Sequence, residues 1–242
     1  MKDFVCIGWD VGGMHGANNA LAIIKTSPDK IITLKSFKKP KSAESLAQNI
    51  AAEIISIANT FETTLLAIDA PLSFPNKFIE QMQNLNCIKP LDFSTQMQNP
   101  LAYRASESYL FSKTKKRPLS STFDQLTSLT LLVQRVFQIL KDEHKNIKLL
   151  PFDSQNIGLG INAFECYPGN LKTGKTERTE QIEFWKYAHI YLPKTDGEHE
   201  KDALLCALFA AFEMEKPEAH RFNIESDFKD KASLEGWIYG FY

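Results

Sequence analysis

The chain has 242 residues, of which 43% are apolar and 24% charged, with a net charge of −1 at neutral pH. That is long enough for one large domain with a substantial core, and the composition is that of a folded globular protein. The charge balance excludes strong non-specific nucleic-acid binding driven by a basic excess, although local basic runs stand at 113–117 (KTKKR) and among Lys35, Lys38, Lys39 and Lys41.

The opening MKDFVCIGWD is charged too early and is too short for a signal peptide. Residues 4–10 read as a buried strand ending in Asp10, followed by Gly12, Gly13 and Gly16. Strand-like runs at 20–26 and 31–37, separated by Ser27-Pro28-Asp29-Lys30, complete a three-strand meander. Residues 43–59 carry apolar residues at helical spacing, with Ser42 as the cap. TLLAIDAPLS follows, a continuous apolar run that suits a strand buried on both faces; it contains Asp69 and is stopped by Pro71. Pro75, Pro90, Pro100 and Pro118, with the amide-rich QMQNLN, predict loops and short helices over one side of the sheet.

The spacing then predicts a long helix over 121–141, a strand over 161–169 that ends at Pro-Gly, and a helix over 178–188. HEKDALLCALFAAFEMEK is apolar almost all round and predicts a buried helix. The aromatic tail EGWIYGFY predicts a short strand or clasp. No run reaches transmembrane length. The cysteines (Cys6, Cys87, Cys166 and Cys206) lie at least 40 positions apart, which excludes a CxxC knuckle and, with their apolar surroundings, implies reduced thiols and a cytoplasmic setting. The whole reads as α/β: one domain over 1–242, a mixed sheet with helices on its faces, and a helical and loop insertion at about 74–150.

Asp10, Asp69, Glu165 and Asp202 each interrupt an apolar stretch, and His199 lies three residues before Asp202 on the same helical face. Unpaired buried carboxylates are costly. Two such charges 4 Å apart repel by roughly 1 kcal/mol in water and about 4 kcal/mol at the dielectric of a protein surface. If the four acids converge they need protons, basic partners or a cation, and hard oxygen ligands favour Mg²⁺ or Mn²⁺. A carboxylate cluster holding two such ions is the usual device for hydrolysing phosphodiesters. Ordinary roles stay open for each: Asp10 bracing the glycine turn, Asp69 as a turn residue, Glu165 paired with a base, and His199 and Asp202 as first-turn residues.

The order of strand acid, hairpin, helix, strand acid and helix-head acid resembles the ribonuclease H-like superfamily. HEKDALLCA is similar to the H-x-x-D-A-x-x-x-A helix start of its Holliday-junction resolvase branch. IGWDVGG, LLAIDAPLS, YRASESYL, FECYPGNL, GKTERTEQ, DALLCALFAA and EGWI, running from residue 7 to 238, resemble the DUF429 family of predicted nucleases. The resemblance implies a ribonuclease H-like five-stranded sheet and a catalytic, metal-holding set of Asp10, Asp69, Glu165 and Asp202 beside His199. It also implies Mg²⁺ or Mn²⁺ as cofactor and a nucleic-acid substrate. Arg104, Lys175 and Arg178 match its basic positions as phosphate contacts, with a salt bridge to the acids as the equal alternative. Gly12 and Gly13 would leave room for a phosphate backbone. Relatives often carry an aspartate where His199 stands; a neutral imidazole there would bind metal or shuttle a proton. Two other readings remain: a silent ribonuclease H-like binding or scaffold protein, and an actin-like or sugar-kinase-like ATPase, which the absence of a second glycine-rich loop disfavours.

Overall fold

The computed structural model describes residues 4–14, 18–25, 31–37, 41–84, 96–124, 126–144, 146–153, 156–171, 179–191, 197–215 and 224–241. The meander is present as β1 (Phe4–Asp10), β2 (Asn19–Lys25) and β3 (Ile31–Phe37), with antiparallel pairing throughout. Every residue of β1 is buried, as a central strand requires, whereas β3 alternates exposed and half-buried positions and forms the sheet edge. Helix α1 (Ala43–Ala58) leads to β4 (Thr63–Asp69), which runs parallel to β1. Ser42 caps α1 as expected, its hydroxyl accepting from the Ser45 amide while Ser45 Oγ accepts from the Ser42 amide.

Residues 76–149 hold α2 (Asn76–Gln83), α3 (Ala105–Thr114), α4 (Thr127–Glu143) and the short β5 (Ile147–Leu149). Helix α4 starts six residues later than its apolar spacing predicts. Ser120 Oγ donates to the Ala102 carbonyl and Thr122 Oγ1 to that of Leu101, and Asp124 Oδ2 accepts from the Ser120 amide. Those bonds hold 118–124 as a loop stitched to 101–102 instead of a first helical turn. After β6 (Gly160–Cys166) come α5 (Pro168–Leu171), α6 (Thr179–Tyr191), α7 (Glu198–Glu215), α8 (Lys229–Glu235) and β7 (Ile238–Tyr239).

The strand order is β3-β2-β1-β4-β6-β5, with β7 also pairing β6. An antiparallel meander followed by parallel β4 and β6 is the arrangement that the resemblance to the ribonuclease H-like superfamily implies. The sheet has seven strands instead of the expected five, because two short segments, β5 and β7, pair one after the other along the outer side of β6. Two cores result. On one face α1 and α4 cover Ile7, Trp9, Leu66 and Ile68; on the other α7 covers Cys6, Ala22, Leu65 and Phe164. Burying each such aliphatic or aromatic side chain contributes about 1.5–3 kcal/mol. Among the described residues no helix is long and apolar enough to cross a membrane.

Candidate metal centre

Asp10 and Asp69 are register partners on the parallel strands β1 and β4, so their side chains leave the sheet side by side on one face. Helix α7 supplies the third acid. It crosses β1 at Gly8, where an added Cβ would stand 1.9 Å from the Ala203 carbonyl oxygen and 2.4 Å from the Ala207 nitrogen. That backbone-to-backbone approach lays Asp202 over Asp10. Carboxylate oxygens of Asp10, Asp69 and Asp202 all lie within 4.8 Å of one another.

Crowding these acids changes their protonation. Burial pushes the Asp10 carboxyl up to about 6; the His199 ring beside it acts in the opposite direction and Asp202 adds to the rise. Asp69 is held well above the usual carboxylate range by burial, and by the charges of Asp10 and Asp202. A hydrogen bond links the Asp10 and Asp69 carboxyls. The cluster therefore keeps a proton that a cation would displace. His199 Nδ1 lies 2.6 Å from Asp10 Oδ2, with the His199 side chain about half exposed.

Glu165 adjoins this set without joining the oxygen cluster. It lines the same cavity as Asp10 and Asp69, and its charge helps to raise the Asp69 carboxyl, but its register partner on β4 is Ile68, not Asp69. Arg104, 0% exposed, grips it with two bonds: Nη1 to Oε2 at 2.8 Å and Nη2 to Oε1 at 2.7 Å. Arg104 Nε donates to Glu107 at 2.8 Å, Nη2 lies 2.6 Å from the same Glu107 oxygen, and Nη1 donates to the Glu235 carbonyl at 3.1 Å. Burial works against the charge on Arg104, but Glu107 and Glu165 outweigh it and hold the guanidinium protonated. Burial also raises the Glu107 carboxyl, against the pull of Arg104. As folded, Arg104 thus faces carboxylates and a carbonyl and not solvent, which is the salt-bridge alternative of the sequence reading.

The glycines of the first hairpin serve the chain itself. A Cβ on Gly12 would meet the Asn18 backbone at 2.5 Å, and Gly13 has φ of +81°. Asn19 organises the turn: its Oδ1 accepts from the Gly12 amide at 3.1 Å and from Trp9 Nε1 at 3.2 Å. Trp9 is fully buried. Lys175 and Arg178 lie outside the described residues. Cys6, Cys166 and Cys206 are buried free thiols, and Cys87 lies outside the described residues.

Two residues absent from the sequence reading matter. Gly8 admits α7; the only signal was a glycine in the middle of an apolar strand, which marks a close backbone approach. Glu235 ties the tail to the centre. One carboxylate oxygen accepts from the Asn76 amide at the start of α2, the other from the Ala105 amide at the start of α3, both at 2.8 Å.

No family model matches the sequence, and no curated protein matches it. Among solved structures, the chain is similar to T. thermophilus RuvC in complex with Holliday junction substrate. That match is 11% identical, covers 88% of this chain and 96% of that chain, and has a TM-score of 0.44.

Proposed function

We propose that this chain is a divalent-metal-dependent phosphodiesterase acting on nucleic acid, a nuclease of ribonuclease H-like fold in the manner of the DUF429 family it resembles. One observation carries the reading: Asp10, Asp69 and Asp202, from three separate elements, converge their oxygens within 4.8 Å at the ends of two central strands. Hard, anionic oxygens that would otherwise repel are the donor set that suits Mg²⁺ or Mn²⁺. Such an ion supplies Lewis acidity toward a phosphoryl oxygen and lowers the pKa of a water.

The protein's own residues do the rest. Asp10 and Asp69 are fixed by strand pairing, so they are preorganised without loop motion. Asp202 enters on a buried helix. His199 orients Asp10, and its half-exposed ring is placed to pass a proton between the centre and solvent. Glu165 acts through its ion pair with Arg104: it anchors the guanidinium and accepts from the Leu72 amide just beyond β4 at 3.3 Å.

The test is Mn²⁺ titration by calorimetry on the wild type and Asp10→Asn. Saturable binding in the wild type, lost in the variant while its thermal transition is retained, supports the assignment. Equal binding in both proteins removes it. The withdrawal of Glu165 by Arg104 favours a second reading, a binding protein without catalysis; metal-loaded protein that binds nucleic acid and cleaves none would select it.

A further inference from the structure

Asp10, Asp69, Glu107 and Glu165 are the acidic lining of a cavity of about 190 Å³, with the Asp10 and Asp69 carboxylates as its floor. One wall is apolar: Pro118, Leu119, Leu126 and Leu129, from the stitched loop and the first turns of α4. Among the described residues no lysine, arginine or histidine lines it. The volume is below the roughly 300–1,000 Å³ of a pocket that encloses a drug-sized ligand, so it admits one compact group.

The loop of that wall is built to face outward. Ser120 and Ser121 are buried, and Ser120 and Thr122 are bonded to the 101–102 backbone, while Leu119 is 57% and Phe123 is 66% exposed. Large apolar side chains on a loop with this many fixed backbone contacts are not exposed through slackness. Of the two, Leu119 lines the cavity and forms an apolar lip continuous with the acidic floor.

A duplex offers nothing to such a lip. Its base faces are stacked inside. An unpaired nucleotide presents both needed chemistries at once: a base face for the apolar wall, and a phosphodiester for a cation held by the carboxylate floor. Enzymes that work on a base extrude it and hold it between aromatic or apolar side chains. We propose that the substrate is a nucleic-acid strand with an unpaired nucleotide, its base against Leu119 and the α4 wall and its phosphodiester at a cation held by Asp10 and Asp69. This rests on the phosphodiesterase reading above and specifies its substrate.

The experiment compares end-labelled single-stranded oligonucleotides (DNA and RNA), the duplex of each, and single strands with one abasic site, all incubated with Mn²⁺. It is run on the wild type, Leu119→Ala and Leu119→Asp, with binding of the same strands followed by fluorescence anisotropy on Asp10→Asn. The expected result is cleavage of single strands at least about tenfold faster than duplex, lost at the abasic position and reduced about tenfold by the Leu119 variants, with Tm unchanged because that side chain is exposed. The DNA and RNA arms identify the sugar. Duplex cut as fast as single strand, or an abasic site cut as fast as a normal one, overturns the substrate assignment and leaves the phosphodiesterase reading intact. Cleavage of no strand by protein that binds Mn²⁺ overturns both.

Discussion

Glu165 and Asp69 stand on neighbouring strands and line one cavity, yet both Glu165 oxygens are held by Arg104, and that pairing separates it from the three clustered aspartates. Asp69 is the register partner of Asp10; that of Glu165 is Ile68. A buried bidentate pair of this kind is costly to break, about 3–5 kcal/mol when one partner is removed, because the other is stranded. Arg104 keeps Glu107 as a partner if Glu165 is neutralised. Glu165→Gln is therefore expected to weaken Mn²⁺ binding less than Asp69→Asn does, the latter by at least about tenfold. Calorimetry on the two variants side by side checks this, and an equal loss in both would show Glu165 to be a ligand after all.

At the scale of elements, the centre depends on how closely one helix lies on one strand. Helix α7 rests its backbone directly on Gly8 of β1, so a single methyl group there meets a carbonyl and an amide that no rotamer change can move. Gly8→Ala must lift or slide α7, at a cost of about 1–3 kcal/mol or more. Asp202, adjacent to Ala203 at the contact, moves with the helix. The expected outcome is a lower Tm together with weakened Mn²⁺ binding, although no ligand has been altered. Thermal melts with and without Mn²⁺ read both effects, and a variant with wild-type stability and affinity would remove α7 packing as the positioning device.

For the molecule as a whole, the crowded acids tie folding to pH. Asp10 holds its proton to about pH 6 in the folded protein, against about 3.9 in an unfolded chain. A raised carboxyl pKa means the folded state binds the proton more tightly, so this contribution is complete below about pH 4 and is lost as pH rises through about 6. Asp69, raised by burial and by its acidic neighbours, extends the loss to higher pH. Metal-free protein should lose thermal stability between about pH 5 and pH 8, with Mn²⁺ raising Tm more at the upper end. Asp69→Asn should flatten the slope; a wild-type profile as flat as that of the variant would show that the carboxyls are not crowded in solution.

Much of this was legible in the sequence, for physical reasons. A carboxylate in an apolar strand is costly enough to stand out, so Asp10, Asp69, Glu165 and Asp202 all drew notice, and the meander, α1 and α7 follow from continuous or periodic apolar runs. A base for Glu165 and an acid for Arg104 were both open alternatives in the sequence, but that these two meet was not legible, because it depends on the register of β6 against β4 and on a separation of 61 residues. A glycine inside an apolar strand marks a close backbone approach, but that the element approaching Gly8 is α7 was not legible, since that helix lies far along the chain. The two extra strands have 3 and 2 residues, too short for any period to register. The late start of α4 reflects side chains that bond to a distant backbone, which apolar spacing does not record.

The helix seated on Gly8 has a consequence for the newborn chain. β1 and β4 leave the ribosome early, and Asp10 and Asp69 can come together once residue 69 is out. At about 5–20 residues per second, the stretch that ends in α7 follows on the order of ten seconds later. Throughout that interval Cys6, Ala22, Leu65 and their neighbours have no cover. The half-made sheet is thus a sticky platform waiting for its lid, and the crowding of the acids is complete only when α7 brings Asp202 and covers them.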